Sequence, residues 1–140
     1  MHDPRLMDLA QRDGRYAYEA FEFVIEALAH AQKLNDRVPA DGEEPGPEHH
    51  VSGPELIEGA RDLALREFGL MARVVFKIWG IRRTRDIGEI VFAMIADGLL
   101  SKTDSDSLDD FQDVFDLDRA LTEGYEIDTE AMEGLYRSER

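Results

Sequence analysis

The sequence predicts a mainly α-helical fold: a single compact domain of five or six helices, with a winged-helix-like central segment and at most a small β element. Three observations carry this. Apolar residues recur at three-and-four spacing through most of the chain, the mark of helices with one buried face. Gly, Pro and short polar residues fall where those periods break, as helix ends require. The chain has 140 residues, 43% of them hydrophobic, which suffices for one core but leaves no stretch for a second independent one.

Taken in order, Pro4–Ala10 predicts a short helical turn closed by Gly14. The clearest helix follows over RYAYEAFEFVIEALAHAQKL, with Tyr18, Phe21, Ile25 and Leu28 on one stripe and Val24 and Ala31 beside it. Its polar face sets Glu26 four residues before His30, a favourable pair when the imidazole is charged. The helix stops near Asn35. Residues 35–53 then carry Pro39, Gly42, Pro45, Gly46, Pro47 and Gly53, which predicts an exposed loop, because proline removes donors and glycine adds backbone entropy. Ser52, Pro54 and Glu55 form a helix-start signature, a capping box with Pro in the first turn. The helix they open places Leu56, Ile57, Ala60, Leu63, Ala64 and Phe68 inward and ends at Gly69.

The segment LMARVVFKIWGI suits either a strand, by its β-branched content, or a helix. A strand puts Arg73, Val75, Lys77 and Trp79 on one face, a poor alternation, so helix is the reading adopted. That register groups Met71, Val74, Val75 and Ile78 as the inner stripe and sets Arg73 and Lys77 on the far face. Gly80 ends it. Thr84 or Asp86 then caps a further helix with Ile87, Ile90, Val91, Met94 and Ile95 inside, closed by Gly98, with a possible small β element at Leu99–Lys102. Ser107 with Asp110, and Asp116 or Asp118, open short turns through Phe111, Phe115 and Leu121, and residues 125–140 form a partly frayed tail. The expected core comprises Phe21, Ile25, Leu28, Leu56, Leu63, Phe68, Val75, Ile78, Ile90, Val91, Met94, Phe111 and Phe115.

Composition narrows the function classes. There are 31 acidic against 16 basic residues, a formal net charge of −15, and no Cys. Without Cys there is no disulfide framework, thiolate metal site or cysteine nucleophile. The charge opposes general binding to nucleic acid or anionic membrane, both polyanions. No apolar run is long enough to span a bilayer, and the first residues lack a signal-peptide core, so a soluble cytoplasmic protein is expected. The charge is uneven. Residues 1–69 hold 15 acids and 7 bases, residues 70–100 hold 3 acids and 5 bases, and residues 101–140 hold 13 acids and 4 bases.

The middle segment carries the candidate binding residues. A helix, the break at Gly80-Ile81, the basic turn Arg82-Arg83-Thr84-Arg85, a second helix and Gly98-Leu99-Leu100 together resemble the centre of a winged helix. Arg82, Arg83 and Arg85 are the candidate phosphate contacts. The same helix carries Asp86 and Glu89, which suit a protein partner better than DNA. Trp79 is either a core residue or an exposed anchor for a partner, and Tyr16 or Trp79 could seal a homo-oligomer or sit in the monomer's core.

Other constellations fail on spacing. Glu48, His49 and His50, with Glu26 and His30 as further donors, lack the fixed geometry of a metal site, and solvated loop histidines are expected. The run from Asp104 to Asp113 fails as a calcium loop, because its sixth and twelfth positions hold Asp109 and Phe115 instead of Gly and Glu. No nucleophile elbow, phosphate-binding glycine loop or zinc-protease motif is present. No catalytic residue, metal or cofactor is therefore assigned.

Read as a string, HVSGPELIEGARDLALREFG, MARVVFKIWGI, DIGEIVFAMIADGLLSK and DFQDVFDLDRAL resemble a family of small acidic proteins from planctomycete and verrucomicrobial bacteria. The resemblance runs from about Tyr16 to Leu121. It implies a cytoplasmic bacterial protein and carries no activity, cofactor or catalytic residue. The functional expectation is a non-enzymatic protein-interaction or regulatory module with an unidentified protein partner. The alternatives are weak nucleic-acid binding at Arg82–Arg85 and metal binding by the loop histidines.

Overall fold

Asp3 opens the first helix, α1 (Pro4–Asp13), by accepting the N–H groups of Arg5 and Leu6 on its carboxylate at 2.9 and 3.4 Å. Pro4 stands where a missing N–H costs nothing, and Gly14 closes the helix in the left-handed region at φ 74°. The computed structural model of the chain describes residues 3–40, 42, 50–100, 108–111, 114–117 and 119–121. Among them are four further α-helices: α2 (Tyr18–Leu34), α3 (Gly53–Phe68), α4 (Ala72–Trp79) and α5 (Thr84–Ala96). There are also two 3₁₀ turns, Gly69–Met71 and Leu108–Phe111, and Leu117 and residues 119–121 are helical as well. The fold is mainly α, as the periodicity requires, and no described residue lies in a strand. No helix is long and apolar enough to cross a membrane among the described residues.

The longest helix, α2, touches each of the other four α-helices. It can do so because small residues bring backbones close. A Cβ placed on Gly59 of α3 would lie 2.7 Å from Cβ of Ala31, so α2 and α3 pack closely there, and Ala27, Ala31 and Ala60 on the two helices are fully buried. Phe21, Val24, Ile57, Phe76, Ile81, Ile87, Ile90 and Met94 fill the centre. Helices from both sides of the 35–53 loop thus share one interior. The loop's base is tied: Arg37 donates to the carbonyl of His50 at 3.0 Å and to the Glu55 carboxylate. Glu55 also closes the capping box with Ser52 that the sequence predicts.

Several expected positions change. On α2, Ile25 is 41% exposed, and the buried face turns toward Ala20, Phe23 and Ala27. A helix surrounded by four others buries its small residues at the crossings and leaves a larger one at the rim. On α4 the inner stripe is inverted: Ala72 and Phe76 are buried, while Met71, Val74 and Ile78 face outward and Val75 is half-buried. The reason is aromatic packing. Phe76 and Trp79 meet Phe23 of α2 at ring-centre distances of 5.3 and 5.5 Å, and Trp79 also packs edge-on against Phe68 of α3 at 5.6 Å. Burying two aromatic side chains outweighs burying aliphatic ones. The expected core residues Leu28, Leu63, Phe68, Val91 and Phe115 are half-buried against the interior, and Phe21, Leu56, Ile90, Met94 and Phe111 lie within it.

Thr84 does not cap α5. It is buried as the helix's first residue, and its hydroxyl donates to the Phe111 carbonyl at 2.7 Å while accepting the Val114 N–H at 3.3 Å. Asp86 supplies the cap from within the first turn. Leu99 and Leu100 form no strand, since their N–H groups return to the Met94 carbonyl at 2.8 and 3.4 Å. Asp116 caps the turn after it by accepting the Arg119 N–H at 3.2 Å. The Ser107 and Asp118 caps, Lys102 and the 125–140 tail lie outside the described residues.

Candidate interaction surface

Helix α4 has an apolar side in the core and a second apolar side in water. After the turn at Gly69–Met71, Leu70 is 61% exposed, Met71 55%, Val74 41% and Ile78 74%. Residues three and four apart share one side of a helix, so these four make a continuous stripe. Arg73 and Lys77, also exposed and one turn apart, border it. Gly80 fixes where the helix stops. It sits at φ 93°, and a Cβ there would meet the Arg15 carbonyl at 2.6 Å, so the chain turns tightly against the start of α2. The Trp79 carbonyl accepts the Ala17 N–H at 3.1 Å and locks that junction. The stripe is therefore held on a rigid element.

The residues nominated from sequence are distributed as follows. Trp79 is half-buried in the aromatic group of Phe23, Phe68 and Phe76. Asp86 accepts the Tyr16 hydroxyl at 2.8 Å and the N–H groups of Arg82 and Arg83 at 2.8 and 3.0 Å. Burial, and then the neighbouring Asp86 carboxylate, raise the Tyr16 hydroxyl pKa above its ordinary value. Glu89 accepts Arg15 at 3.0 Å and Arg85 at 3.4 Å. Arg15 in turn grips Asp13 at 2.6 and 3.0 Å and holds that carboxyl below the usual range. Asp86, Glu89 and Arg85 are thus engaged with the chain itself, while the Arg82 and Arg83 side chains are exposed. Arg83 edges a hollow of about 380 Å³ shared with Thr84, Phe115, Asp116 and Leu117.

The Glu26–His30 pair does not form as expected. His30 instead reaches across to α3, where Nε2 lies 2.6 Å from Oδ2 of Asp62. Arg66 donates to the same oxygen at 2.7 Å. His30 and then Arg66 lower the Asp62 pKa. Glu26 is left near Glu67 and Glu22, and its pKa rises, first from burial and then from those like charges. Among the described residues no three His, Asp or Glu side chains are grouped to hold a metal ion. Glu48, His49, Asp104, Asp106 and Asp113 lie outside the described residues.

Sequence reasoning missed the outward α4 face, although its signal is present. Between Leu70 and Trp79 only Arg73 and Lys77 are polar. A helix with apolar residues on both sides has one side more than a core needs when it lies at the surface. No protein-family model matches the chain, and neither a curated protein nor a solved structure is similar to it.

Proposed function

We propose that the chain is a non-enzymatic protein-interaction module whose contact surface is the outward face of α4. The observation that carries this is the exposed stripe of Leu70, Met71, Val74 and Ile78 on a helix tied at its C-terminal end to the start of α2. Contiguous exposed apolar surface on a folded domain marks an interaction site, because leaving it in water costs free energy that a partner recovers. The kinship to small acidic bacterial proteins suggested by the sequence adds no activity to this reading. The test is a photo-crosslinking residue placed at Ile78 in the cell of origin, with Gln11 on α1 as the comparison site. The expected result is an adduct of one discrete mass at position 78 that disappears when Val74 is changed to Glu. No adduct at 78, or equal adducts at both positions, overturns the reading.

A second reading, nucleic-acid contact through Arg82, Arg83 and Arg85, has two exposed guanidinium groups in its favour. Against it, Arg85 donates to Glu89, and the Asp86 carboxylate occupies the N-terminus of α5 where a phosphate would sit. It predicts a gel shift at about 50 mM salt, where phosphate contacts are strong, that vanishes when all three arginines become Ala. Absence of any shift there dismisses it.

A further inference from the structure

We draw no further inference here: the strongest candidate, the outward apolar face of α4 formed by Leu70, Met71, Val74 and Ile78, carries none because nothing in the structure shows what covers it.

Discussion

Gly59 holds α2 and α3 at their crossing because nothing larger fits. A methyl group there would press on Ala31 at 2.7 Å from its Cβ and 3.0 Å from its Cα, and neither atom can move without shifting a helix. Gly59→Ala is expected to lower the unfolding free energy by about 1–3 kcal/mol, the usual cost of overpacking, read from the urea midpoint at constant slope. Thr84 is the other residue whose atoms are fully used. Its hydroxyl joins the start of α5 to Phe111 and Val114. Thr84→Val keeps the shape and leaves that amide and carbonyl without their partner, at a cost of about 1–3 kcal/mol. If Thr84→Val unfolds at the wild-type midpoint, the hydroxyl has no structural role. Both residues were visible in the sequence only as a glycine inside a helix and a possible cap. Their roles depend on residues 27 positions or more away along the chain.

At the scale of an element, α4 tests the two-faced description most directly. Phe76 lies in the interior against Phe23 and Trp79, so Phe76→Ala should cost about 3–5 kcal/mol. Val74→Ser and Ile78→Ser, on the outward face, should each stay within about 0.5 kcal/mol of wild type. Chemical denaturation of the three variants checks this, and a large loss at Ile78 would mean that the stripe is buried. Elsewhere, helix ends were legible and helix faces less so. Pro4 and Gly14, Ser52 with Glu55, and Gly80 all act within about four residues of themselves, and each does what its type suggests. The face of α4 was misread, since its register set Met71, Val74, Val75 and Ile78 inward and the structure turns Met71, Val74 and Ile78 outward. Its two apolar sides differ in what they meet, and only Phe23 and Phe68, contributed by other helices, decide between them.

For the whole molecule, the charge has structure that composition hides. Asp13, Glu55 and Asp62 each hold a proton less tightly in the fold than in the unfolded chain, through Arg15, through the Ser52 N–H with Arg37, and through His30 with Arg66. The stabilisation from such a group is full above its unfolded pKa and drains away as pH falls through the lowered folded value. Asp62→Asn should therefore melt below wild type between about pH 5 and 6, where the unfolded carboxyl is ionised. The gap should close as the pH drops below 3.8, the ordinary Asp value. Thermal melts across that range measure it, and a gap that persists at the acid end would remove Asp62 from the linkage. Glu26 works in the opposite sense, since burial and its like-charged neighbours favour its protonated form. This pairing was not legible from spacing. The i,i+4 rule offers His30 to Glu26, whereas Asp62 arrives from another helix at 2.6 Å.

What the amino-acid string determined by itself was the kind of protein: helical, rich in carboxylates, punctuated at Gly14, Asn35, Ser52, Gly69 and Gly80, with its apolar residues sufficient for one interior. Those properties are local, set by backbone sterics and by hydrogen bonds that span a turn. The tertiary structure alone decided which side of α4 stays in water, that His30 answers Asp62, and that Arg37 ties the loop base to Glu55. Each depends on a neighbour brought from another helix or from across a loop, and burial free energy is a property of the surface two elements share, which neither element contains alone.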